Sequence, residues 1–149
     1  MISDLSFRNI RPVAAVWLVL VQAMMALPAF ADCDATPKSA VSFSKSIEPI
    51  FHTTCAVQGC HVFINPPEEL ILVEAHSYQY LVNVQSIERP GMKLINPGNP
   101  ETSYLIHKLR GTHIEAGGVG ERMPFQLDPL SNDQISMIAT WIKDCSPKN

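Results

Sequence analysis

The chain has 149 residues and a formal net charge of −3, with 17% of its residues charged. That length points to one domain, and the charge excludes the basic surface of a nucleic-acid-binding protein. An acidic protein of this kind suits a partner with a positive docking patch, because net charge acts on association rather than on fold.

The N-terminus has the layout of an export signal. Arg8 and Arg11 precede an apolar run from Val13 to Leu27, broken only by Gln22, and Ala29-Phe30-Ala31 forms a small-x-small site. This predicts a signal peptide over residues 1–31, cleaved after Ala31, and a mature domain over 32–149. The run is short for a membrane span, which needs about 20 apolar residues. Asp32, directly before Cys33, argues against a lipid anchor there. Export into the periplasm would carry all four cysteines into an oxidising compartment, where free thiols are not the default.

Residues 32–41 read as a short tether. Ser42 or Ser44 can cap a first helix whose apolar positions are Phe43, Ile47, Ile50 and Phe51, spaced for one helical face. Pro49 lies inside that pattern and predicts a kink or a late start. Residues 62–74 form a loop around Pro66-Pro67, and a short helix is expected from Ala75 to Asn83. Pro90-Gly91 and Pro97-Gly98 mark turns. The next helix is expected to have Asn99 as N-cap, Pro100 at its first position and Gly111 at its C-terminal stop. Residues 112–129 hold three glycines and two prolines and read as a long loop, a length that usually signals function. The last helix has a capping box of Ser131 and Gln134, then Ile135, Ile138, Ala139 and Ile142 on one stripe. No hairpin signal or sustained alternation appears. The expected fold is a small all-α domain of about four short helices joined by long loops.

The chemistry centres on Cys55-Ala-Val-Gln-Gly-Cys60-His61. A C-x-x-C-H run is the haem-attachment signature. Its two thiols form thioethers with the porphyrin vinyl groups, and its histidine ligates iron. Here four residues separate the cysteines. The extra two must bulge outward, and Gly59 supplies the backbone freedom for that. Two other arrangements use the same residues: a Cys55–Cys60 disulfide, and a zinc site of both thiols with His61, although no second ligand cluster accompanies it. Downstream, Met123 lies between Arg122 and Pro124 in the glycine-rich loop. A methionine thioether is a soft iron ligand, and His/Met ligation occurs in cytochromes c. Met92 and Met137 are expected to pack in the core. His107 and His113 flank the loop and are alternatives to Met123, while His52 and His76 read as solvated or packed. Arg89, Arg110 and Arg122 are candidates to pair with haem propionates.

Five stretches together carry a family resemblance: Ile47 to Phe51 leading into Cys55, Gly59-Cys60-His61, Pro97 to Leu105, Arg122-Met123-Pro124, and Leu130-Ser131 through Trp141-Ile142. Over roughly residues 43–143 the chain resembles small bacterial class I-like cytochrome c domains, including those of planctomycete multidomain proteins. The resemblance implies a cytochrome c-like fold around one covalent haem c. Cys55 and Cys60 would be the attachment sites, His61 the proximal ligand and Met123 the distal one. The longer spacing between the cysteines departs from the family pattern. With Cys55 and Cys60 committed to haem, Cys33 and Cys145 remain to form a disulfide, since the terminal helices pack together in such domains.

The implied function is one-electron transfer in the periplasm with unidentified redox partner proteins, by a carrier rather than an enzyme. Two alternatives stay open. One is a haem protein with a labile distal site that binds peroxide or a gas. The other is a haem-free, disulfide-stapled secreted domain that binds another protein.

Overall fold

The computed structural model describes Cys33 and residues 39–149. The expected signal peptide and its cleavage site at Ala31 lie outside the described residues. Within them the chain forms four α-helices and no strand: α1 Glu48–Thr54, α2 Ser77–Leu81, α3 Tyr104–Arg110 and α4 Asn132–Lys143. No helix among the described residues is long and apolar enough to cross a membrane.

Pro49 decides how the first helix begins. A π-helical turn, Phe43–Ile47, comes first, with the Ser42 hydroxyl accepting from the Lys45 N–H. Pro49 then falls in the first turn of α1. There its missing N–H costs nothing, because the first-turn donors of a helix have no intrahelical partner. The proline therefore starts α1 rather than kinking it. Phe43, Ile47 and Phe51 are buried as their spacing predicts.

Two expected helices come out shorter than their sequence signals. Left-handed residues bound α2, Ala75 at φ 66° and Asn83 at φ 64°. The buried Glu48 carboxylate accepts the Ala75 N–H and the Ser77 hydroxyl, each at 2.9 Å, and so fixes the start of α2 against α1. The helix expected from Asn99 breaks at Ser103, which is extended (φ −98°, ψ 114°) between a 3-10 turn, Pro100–Thr102, and α3. Ser103 is fully buried; its hydroxyl donates to the Asn99 carbonyl and accepts the Asn96 N–H. Such local side-chain bonds compete with helical ones. Asn99 makes no side-chain cap. Gly111, at φ 77°, closes α3 as expected.

Residues 93–95 bond to the chain on both sides. Asn83 N–H donates to the Ile95 carbonyl at 3.0 Å, and Leu105 N–H to the Leu94 carbonyl at 3.0 Å. This zipper fixes the loop after α2 against the start of α3.

The capping box of Ser131 and Gln134 forms on α4, and Ile135, Ile138, Trp141 and Ile142 are buried. Trp141 packs on Phe43, with ring centroids 5.1 Å apart, and its indole N–H donates to the Pro147 carbonyl at 2.9 Å. Truncating a tryptophan in such a core costs about 3–5 kcal/mol. Met137 departs from expectation: it lies on the exposed side of α4, off the Ile135–Ile138–Ile142 stripe. Met92 is half-buried and stands outside the core cluster. Cys33 and Cys145 are joined by a disulfide with a Cα–Cα distance of 5.4 Å, tying the N-terminal segment to the end of α4.

Candidate functional site

The haem-like motif begins where α1 ends. Cys55 is the C-cap residue, its N–H bonded to the Phe51 carbonyl. The chain then turns out and returns. Cys60 N–H donates to the Val57 carbonyl at 3.0 Å, and His61 N–H to the Cys55 carbonyl at 3.1 Å. The second bond closes the loop and returns Cys60-His61 to the end of α1. Gly59 makes the return possible with φ +82°. A Cβ there would meet nothing within 4 Å, so the demand is on conformation and not on space.

Both thiols are free and half-buried. The Cys55 thiol is pushed up to about 12, first by burial and then by Cys60 beside it. It is therefore protonated at neutral pH. The two sulfurs are neighbours without a bond between them. Among the described residues, no three His, Cys, Asp or Glu side chains converge to hold a metal ion, so a zinc site of Cys55, Cys60 and His61 is not assembled.

His61 is buried, and its Nδ1 lies 3.0 Å from the Leu70 carbonyl. A carbonyl only accepts, so Nδ1 carries the proton. Burial holds the ring below its ordinary pKa, with the Leu70 carbonyl opposing and the Lys108 ammonium adding to the depression. The ring is thus neutral, and the lone pair sits on Nε2. Metal-ligating histidines are oriented in this way, by a carbonyl on the other nitrogen. The Leu72 N–H donates to the His61 carbonyl at 2.9 Å and fixes the returning strand of the loop.

Met123 is half-buried and is not part of the core cluster. Its N–H donates to the Lys108 carbonyl at 3.0 Å, which ties it to α3, and its peptide bond to the buried Pro124 is cis. Lys108 and Glu88 both act on the His61 ring through their charge. Lys108 therefore links the two halves of the candidate site: its backbone holds Met123, and its side chain lies within electrostatic reach of His61.

The other expected residues are placed less favourably. His107 uses both ring nitrogens, on Thr112 Oγ1 at 2.9 Å and the Glu101 carbonyl at 3.1 Å. His113 is buried with Nε2 on the Gly120 carbonyl, while Nδ1 has no partner. Of the two, only His113 keeps a free nitrogen. His52 is exposed. His76 Nδ1 lies 3.1 Å from the Glu74 carbonyl, and the ring stacks edge-on against Phe63. Arg110 pairs with Glu101, Arg89 bonds the Ala116 and Pro90 carbonyls, and Arg122 bonds the Leu109 carbonyl.

Phe63, Ile64, Val119, Phe125 and Leu127 are each more than half exposed. All five lie in the two loops that carry His61 and Met123. Two cavities, of about 310 and 100 Å³, lie beside the Cys33–Cys145 disulfide and beside His52; neither is lined by Cys55, Cys60, His61 or Met123.

Sequence reasoning missed Leu70, Glu88, Lys108 and Tyr104. Leu70 acts through its carbonyl, which every residue has. Glu88 and Lys108 are 20 positions apart, and their sequence trace is Gly120, where a side chain would collide with Glu88. No family model matches the chain, and no curated protein or solved structure does.

Proposed function

We propose that the chain is an exported one-electron carrier that binds a single haem c through thioethers to Cys55 and Cys60, with His61 and Met123 as axial ligands. The observation that carries this reading is the state of His61, neutral and oriented by the Leu70 carbonyl with its Nε2 lone pair free, directly after two neighbouring free thiols. Haem would supply the redox couple. The chain's own residues do the rest. The bond from His61 to the Cys55 carbonyl sets thiols and imidazole in one rigid loop. The two loops expose the apolar side chains of Phe63, Ile64, Val119, Phe125 and Leu127, which a bound haem could cover, and Met123 offers a thioether that favours ferrous iron. With His61 and Met123 both holding the haem iron, electron transfer would be favoured over substrate chemistry.

The test is the visible spectrum of protein produced with a cytochrome c maturation system, before and after dithionite. The reading predicts sharp low-spin ferrous bands. A colourless protein with titratable thiols at Cys55 and Cys60 contradicts it and favours the disulfide-stapled binding domain. A high-spin ferric spectrum favours the open distal site.

A further inference from the structure

We propose that Glu88, Lys108 and Tyr104 form a latch that holds the 116–123 loop, and with it the backbone of Met123, in one place. They are positioning residues and not ligands. The proposal rests on the reading of Met123 as an axial ligand.

The three side chains come from two elements and meet in the interior. Lys108 Nζ lies 2.7 Å from Glu88 Oε2 and 3.0 Å from Oε1, with the two side chains 8% and 15% exposed. The Tyr104 hydroxyl, one helical turn before Lys108, shares its proton between Glu88 Oε2 at 3.1 Å and the Val119 carbonyl at 3.2 Å. Burial, and then the Glu88 carboxylate, push that phenol up to about 12, so it stays a donor. Lys108 Nζ also reaches the Val119 carbonyl at 3.5 Å, and its own carbonyl receives the Met123 N–H.

The loop fits closely over this cluster. A Cβ on Gly118 would collide with the Tyr104 phenol, and one on Gly120 with Glu88 Oε1. His113 and Arg89 add further ties, to the Gly120 and Ala116 carbonyls. The loop is thus held at 116, 119, 120, 122 and 123; the tie at 119 runs through the latch side chains, and the tie at 123 through the Lys108 backbone.

A buried ion pair is weak evidence for global stability, because desolvation offsets its Coulomb gain, and its better-attested use is to specify one arrangement. Glu88 and Lys108 also act on the His61 ring in opposite senses.

The test uses the holoprotein and two variants. Tyr104→Phe removes only the hydroxyl. The double variant Glu88→Gln/Lys108→Met removes both charges together, so neither is left buried alone. Each sample is heated while the ferric methionine-to-iron band and the far-UV helical signal are followed. Amide exchange is compared between residues 118–123 and α4. In both variants the band should be lost at a lower temperature than in wild type, while the helical midpoint moves much less. Exchange should rise in the loop and not in α4. Band and helix shifting together, or neither shifting, overturns the latch. A wild-type ferric protein with haem but no such band overturns the ligand assignment instead, and the two failures are told apart by that wild-type spectrum.

Discussion

In the holoprotein, Met123→Ala is expected to abolish the methionine-to-iron band of the ferric state and to lower the reduction potential. Met123 is tied by its backbone to Lys108, while its side chain stands outside the core cluster. The substitution therefore removes a thioether without opening the core. Methionine as the second axial ligand raises the potential relative to histidine, because a thioether stabilises ferrous iron more than ferric. Its loss should leave high-spin or water-ligated iron that binds carbon monoxide readily when reduced. Met92→Ala and Met137→Ala should keep the band, and the exposure of Met137 makes it the cleaner control. A wild-type spectrum in Met123→Ala would assign the ligand elsewhere. His113 would then be tested first, since its Nδ1 is unpartnered while both nitrogens of His107 are engaged.

The second large effect is on stability. Cys33 and Cys145 close a loop with a sequence separation of 112, and the chain-entropy account gives such a crosslink about 4–5 kcal/mol through restriction of the unfolded chain. The pair Cys33→Ser/Cys145→Ser should lower the urea midpoint by a corresponding amount. The slope should steepen, since an uncrosslinked unfolded chain exposes more surface. Denatured, unreduced holoprotein should offer no alkylatable thiol. Two alkylatable thiols, or an unchanged midpoint, would contradict the crosslink.

The parts of the fold that were legible are those written locally. The capping box of Ser131 and Gln134, the isoleucine stripe of α4, the stop at Gly111 and the turn at Gly59 each depend on a few neighbouring residues. The parts that were not legible depend on contacts between distant segments. Ser103 breaks the helix expected from Asn99 because its hydroxyl is drawn into a buried cluster and its backbone bridges to Lys93. Ala75 takes a left-handed conformation beside the Glu48 carboxylate, 27 residues earlier. Met137 occupies a solvent-facing position on a helix whose buried stripe is already filled by isoleucines. The candidate site divides in the same way. Cys55, Cys60 and His61 fall within seven residues of one another and are recognisable by type. The carbonyl of Leu70 and the Glu88–Lys108–Tyr104 cluster leave almost no local signature.

The most direct test of covalent haem on Cys55 and Cys60 is the intact mass of the exported protein after acid-acetone extraction, with Cys55→Ala and Cys60→Ala alongside. Coordination bonds do not survive that extraction, and thioethers do. The wild-type protein should keep its colour and exceed the mass of its chain by one haem. Cys60→Ala should lose more holoprotein than Cys55→Ala, because Cys60 adjoins the iron ligand His61. A wild-type protein that releases all its haem and returns to the mass of the bare chain would contradict the assignment.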